Sequence, residues 1–294
     1  MSTIHDLGYK RYVGTRRASA TRWRVIARQQ IAHGWKTWWR FKAPLGMAVL
    51  ISGIAGAMMV FASDQSTRLG GAQKIVMKLV DSAIPEALLW YFRAGFVVSL
   101  TISATQVASD MQSGAFTFYF ARSIKTWHYV FGKLAGLCAL LALITLAGPL
   151  VLAGLRVGLA SSTDELLVLL PVMAKALLVG TIATIVYAAV PLGFSALLAS
   201  RRQALAVWAA YYLILGSMAY GIGTVSSGWI AAIDLPHALQ AVTYRLWDLD
   251  YRTREAHIPL DAAIGSLVGQ VGLAIGLVAY RVRAAHLAGI GGES

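Results

Sequence analysis

From Ala176 to Leu198 the chain reads ALLVGTIATIVYAAVPLGFSALL, with no Asp, Glu, Lys or Arg in it. A bilayer core about 30 Å thick is crossed by about 20 apolar residues in a helix that rises about 1.5 Å per residue. A helix also satisfies every backbone N–H and C=O within the segment, which lipid requires. Five more blocks read the same way: Ala43–Ala62, Ala87–Val107, Leu134–Leu155, Gln203–Gly223 and Leu260–Tyr280. The expected fold class is all-α: a polytopic integral membrane protein of six transmembrane helices.

Composition moves the chain the same way. Its 294 residues would make one or two soluble domains, yet 57% are hydrophobic and only 13% charged, where soluble domains carry about 25% charged residues. Mean hydropathy is +0.63. Cys138, the sole cysteine, lies in an apolar block, so neither a disulfide framework nor a cysteine metal cluster is expected.

The net charge of +13 follows topology rather than nucleic acid. With the N-terminus inside, the cytoplasmic pieces are 1–42, 108–133, 199–202 and 281–294, and they hold 17 Lys and Arg; the outer pieces 63–86, 156–175 and 224–259 hold 8. Positive residues collect on the cytoplasmic side, so both termini are expected there. The domain division is a basic cytoplasmic segment (1–42), a transmembrane domain (43–280) and a cytoplasmic tail (281–294).

Within the first segment, Trp23, Ile26, Ile31, Trp35, Trp38 and Phe41 recur at roughly 3.6-residue spacing, with Arg24, Arg28, Lys36 and Arg40 mostly on the other face. A basic, Trp-rich amphipathic helix lies in the headgroup plane, so this stretch predicts an interfacial helix leading into the first span. Residues 1–22 lack apolar periodicity and are expected to be extended or loosely ordered. Between spans 1 and 2, Ile75, Val76, Leu79 and Val80 suit one short surface helix. Residues 224–259 hold Trp229, Tyr244, Trp247 and Tyr251, which predicts a folded cap at the outer interface.

Catalysis finds no support. The histidines at 5, 33, 128, 237, 257 and 286 make no pair at metal-ligand spacing, and none lies inside a span. Gly132-Lys133 is the only Gly-Lys pair, and Trp127 stands where a phosphate-binding loop needs glycine. If ATP drives this chain, a second chain hydrolyses it.

The connection between spans 2 and 3 is the most informative stretch. It runs Asp110-Met111-Gln112-Ser113-Gly114-Ala115-Phe116-Thr117-Phe118-Tyr119-Phe120-Ala121-Arg122-Ser123, then Tyr129-Val130-Phe131-Gly132-Lys133-Leu134. An acidic residue, a Ser-Gly pair, an apolar turn, Ala-Arg, and a Gly-Lys opening span 3 resemble the signature of ABC-2 type transporter permeases. Ser123 stands where that family often has proline. The resemblance covers the whole chain in layout and is specific within 110–134; Leu7-Gly8-Tyr9-Lys10-Arg11-Tyr12 adds a weaker likeness to some bacterial members.

The resemblance implies a permease subunit, expected to be an exporter in the bacterial cytoplasmic (inner) membrane. It implies partners: two copies of an ABC ATPase subunit, which hold ATP and Mg, and a second permease copy or homologue, all among membrane lipids and without nucleic acid. It also implies that about 110–123 is a coupling helix docking into the ATPase. The residues expected to carry the docking are Asp110, Gly114, Phe116, Phe118, Tyr119, Phe120 and Arg122, with the four aromatics as a compact knob of the kind a protein groove grips. A non-transporting membrane anchor of an ABC-type machine is the alternative.

Two features inside the membrane complete the reading. Arg93 lies about one and a half helical turns into span 2, where a cation must pair, snorkel or face a cavity. It is a candidate contact for an anionic substrate or lipid, with Glu86 and Asp81 as the structural partners. Gly265, Gly269, Gly272 and Gly276 form a stripe on span 6 that predicts close helix packing, within the chain in preference to a dimer seam, and Gln270 beside it is expected to bond a neighbouring helix.

Overall fold

The computed structural model of the chain describes residues 21–68, 73–121, 124–160, 162–249 and 257–290. Among them six helical stretches are long and apolar enough to cross a membrane: Trp38–Asp64, Ser82–Gln112, Thr126–Gly158, Thr163–Leu197, Arg201–Val225 and Leu260–Leu287. Each contains or overlaps one expected block. The chain is an all-α polytopic membrane protein.

The N-terminal amphipathic stretch differs from its expectation. It is two pieces, because Thr37 is extended (φ −90°, ψ 114°) and its hydroxyl donates to the Gly34 carbonyl at 2.7 Å. Helix α1 (Trp23–Trp35) ends there, and a π-helical turn (Trp38–Lys42) leads into α2 (Ala43–Arg68). The buried face of α1 is Ile26, Ala27, Gln30 and Gly34 rather than its tryptophans. It lies along α6 (Thr126–Thr145), where Cβ atoms on Gly132 and Gly136 would stand 2.8 Å from Ile26 and 2.7 Å from Gln30. Small residues let the two helices touch backbone to backbone, while Trp38 and Trp39 are 63% and 81% exposed.

The short surface helix expected after span 1 is instead the start of α3 (Gln73–Thr101), continuous with span 2. Span 2 then breaks in a 3₁₀ turn at Ser103–Thr105 and resumes as α4 (Gln106–Gln112), followed by α5 (Ala115–Ala121). Helix α7 (Ala147–Gly158) completes span 3. The connection to α8 (Thr163–Leu197) is tight: Ser162 accepts the Glu165 N–H, and buried Arg156 pairs with Glu165 at 3.8 Å. Span 5 is α9 (Arg201–Ala210), a π-helical stretch (Tyr211–Leu215) and α10 (Gly216–Val225). The expected cap is present as α11 (Gly228–Ala231) and α12 (Leu235–Leu246), with Tyr251 outside the described residues. Helix α13 (Leu260–Ile290) is span 6.

Close contacts and hydroxyl pairs join the bundle along its length. Gly180 and Gly193 are where α8 meets the Thr145 carbonyl and Ala274, each at 2.7 Å from a would-be Cβ. Ser52 pairs with Tyr91 at 2.7 Å, Thr145 with Thr184 at 2.8 Å, and Trp208 donates its indole N–H to Ser99 at 3.1 Å. Gln270 bonds its neighbours as expected, accepting from the Tyr211 hydroxyl at 2.8 Å and donating to the Ile233 carbonyl at 3.1 Å.

The glycine stripe of α13 corrects its expectation. A Cβ on Gly269, Gly272 or Gly276 would meet nothing within 4 Å, and one on Gly265 only the Trp229 ring at 3.6 Å. The reason is phase: α13 buries Ala262, Leu267, Ala274 and Val278, and the glycines fall on the face turned away from the bundle.

Candidate functional site

One end of the bundle, here the basal end, gathers α1, α4, α5 and the first turns of α6 and α9. The segment expected to be one coupling helix is two, α4 and α5, hinged at Gly114. Its φ of +66° is a left-handed conformation that glycine adopts without strain. The turn is closed by Gly114 N–H to Met111 C=O at 3.1 Å and by the Thr117 hydroxyl to Gly114 C=O at 2.7 Å.

Asp110 holds this turn to span 3. Its Oδ2 accepts from the Lys133 ammonium at 2.8 Å and from the Tyr129 hydroxyl at 2.7 Å. Lys133, only 5% exposed, also donates to Gln106 at 3.0 Å and to Gln30 at 3.5 Å. Three helices (α1, α4 and α6) thus meet at one buried ammonium. A buried charge persists only when paired and hydrogen-bonded, and here both conditions are met. At the other end of α4, the Ala108 N–H donates to Ser195 of α8 at 3.0 Å.

The aromatic knob is not one surface. Phe116 is buried and meets Tyr129 edge-on at 5.2 Å. Tyr119 is half-buried and meets the same ring at 5.5 Å. Of the three described aromatics Phe118 alone points out, 72% exposed. Helical geometry explains the split: residues three apart share a face, whereas two apart lie about 200° around the axis. Burial, then the nearby Asp110 charge, pushes the Tyr119 phenol up to about 12, so it is a neutral hydrogen-bonding group at physiological pH. The Phe120 side chain and Arg122 lie outside the described residues.

Arg93 is elsewhere. Its guanidinium lies 4.3 Å over the Trp90 ring, and among the described residues no ion pair joins it to Glu86. It is exposed and plays no part in the basal cluster.

Gln30, Gln106, Tyr129 and Lys133 are the partners that single-residue reading passes over. Their signal is spacing: Gln106 and Asp110 are four apart on α4, and Tyr129 and Lys133 four apart on α6, so each pair shares a face. Among the described residues no group of three His, Cys, Asp or Glu is placed to hold a metal ion. What the described basal end presents is a braced two-helix projection with an exposed aromatic.

Among curated proteins no individual sequence matches the chain. The family model described as ABC-2 family transporter protein matches residues 26–253, which covers α1 through the cap. On that match, which spans well over half of the chain, the protein belongs to the ABC-2 family of transporter membrane proteins.

Proposed function

We propose that the chain is the permease subunit of an exporter in a bacterial inner membrane, with both termini cytoplasmic. Two copies, or one and a homologue, pair with two ATPase subunits that hold ATP and Mg. The basal end faces the cytoplasm, and α4–α5 is the element on which the ATPase acts. The cation count between spans supports that orientation. The observation that carries the docking role is Phe118, exposed at the tip of a segment that Lys133 and Asp110 brace against span 3. An interface anchor of this kind is a large aromatic presented on a stiff support. ATP binding in the partner would move α4–α5 as a unit and, through Tyr129 and Lys133, the first turns of α6.

The test separates contact from fold. Phe118→Ala should release the ATPase on purification, since truncating a central aromatic anchor typically costs about 2 kcal/mol or more, while the permease still unfolds normally. Phe116→Ala should instead lower the permease's own stability. Retention of the ATPase at full stoichiometry in Phe118→Ala sinks the docking assignment. Transport, as against a scaffold role, requires substrate-stimulated ATP hydrolysis that the same substitution abolishes.

A further inference from the structure

Between α1, the break in span 2 and the first turn of α9 lies a cavity of about 250 Å³. Arg40, Arg201 and Lys133 stand on its wall, with Gln30, Gln106 and Asp110. Asp110, the one carboxylate among the described lining residues, is already engaged by Lys133 and Tyr129. Arg40 and Arg201 form no ion pair among the described residues, and they stand near enough for their charges to repel. Two like charges lining one cavity repel, and an anion bound between them turns that repulsion into attraction.

A second observation points the same way. Gln30 is 5% exposed, and its amide Nε2 has no hydrogen-bond partner. A buried N–H left unpaired is costly, and this one lines the same cavity as the two arginines. Donors on separate walls, from α1, the first turn of span 1 and the first turn of α9, call for a ligand with acceptor oxygens in several directions. A tetrahedral oxyanion spreads its acceptor oxygens in three dimensions, whereas a carboxylate keeps its two in one plane.

Depth narrows the source. Arg40 and Arg201 sit at the first turns of their spans, and Arg40 directly follows the exposed Trp38 and Trp39 in the chain; aromatic residues of that kind mark the headgroup level. We propose that this cavity is a phosphate-binding site, filled by the headgroup of an anionic phospholipid or by free phosphate. The bound group ties α1 and α9 to the wall that carries Tyr119 of α5. The site does not depend on ATPase docking, so either assignment stands or falls without the other.

The experiment is thermal unfolding of the purified full chain in uncharged detergent. Added in separate arms are inorganic phosphate, short-chain phosphatidylglycerol, and diacylglycerol of the same chain length. A raised midpoint with phosphatidylglycerol but not diacylglycerol supports the site with a lipid source; a rise with inorganic phosphate alone supports it with a free-anion source. No rise in either phosphate arm overturns it. Arg40→Gln/Arg201→Gln should weaken the apparent affinity by about tenfold or more, whereas Arg24→Gln/Arg28→Gln, which removes the same charge from the exposed face of α1, should leave it unchanged. Equal losses in the two double variants overturn the site in favour of general attraction. If the first double variant does not fold, Arg201→Gln alone carries the same comparison.

Discussion

Two carboxylates, Asp110 half-buried and Asp234 fully buried, sit toward opposite ends of the molecule and are held in different ways. Asp110, at the basal end, is held by Lys133 and Tyr129 across two helices. Asp234, at the N-terminus of α12, is fully buried; its Oδ2 meets His237, whose ring stacks on Tyr220 at 3.7 Å. Its Oδ1 has no hydrogen-bond partner and lies against Gly216, where a Cβ would collide with it. The first acid is a cross-link, in which charge and hydrogen bonds are matched. The second leans on one imidazole through a single oxygen, with the positive end of the α12 dipole nearby. Removing a partner from each should therefore fail differently.

The largest effect is expected at the basal end. Asp110→Ala leaves the Lys133 ammonium buried without its counter-charge, a loss of about 3–5 kcal/mol readable by equilibrium unfolding in mixed micelles. Asp110→Leu with Lys133→Met removes both charges and should recover most of that loss. If the double variant is no better than the single, the pair is not what braces α4.

At the cap the expected loss is smaller and comes from crowding. Gly216→Ala should cost about 1 to 2 kcal/mol, the overpacking penalty less the gain in helix propensity. In an Asp234→Ala background the cost should fall, and the double-mutant cycle measures the coupling. An unchanged cost would mean that the glycine is not there to seat the carboxylate.

The smallest effect is on α13. Gly269→Ala or Gly272→Ala, each on a face that meets nothing in the chain, should raise stability by about 0.5–1 kcal/mol because glycine is the weaker helix former. A loss instead would show that the stripe is packed against another molecule.

These contrasts track what could be read from residues alone. The six spans were legible because crossing a bilayer needs only length and low charge, which any window such as 176–198 displays. Gln270 was legible because a lone amide on an apolar helix must find a partner. The split of the aromatic knob was available in the spacing of Phe116, Phe118 and Tyr119, but Phe118 looks no different from its neighbours until the helix axis is fixed. The break at Ser103–Thr105 carries no Gly or Pro to announce it; packing against α8 and α9 makes it. The glycine stripe shows most plainly where sequence stops. Small residues permit close packing, and whether a partner helix is there is decided by which face the rest of the helix buries.

The π-helical stretch in span 5 has a consequence for how its two halves are aimed. Between Tyr211 and Leu215 the hydrogen bonds reach one residue further than in an α-helix, as from the Gly216 N–H to the Tyr211 carbonyl. One additional residue in a turn offsets everything beyond it by about 100° about the helix axis. Below the stretch, Trp208 is fixed by Ser99; Tyr212, within it, stacks on Phe96 at 3.8 Å. Above it, Gly216 and Gly223 face Asp234 and Ala231. The insertion works as a vernier: it sets the angle between the half that grips spans 2 and 4 and the half that carries the cap, so each can keep its own contacts on a single continuous rod.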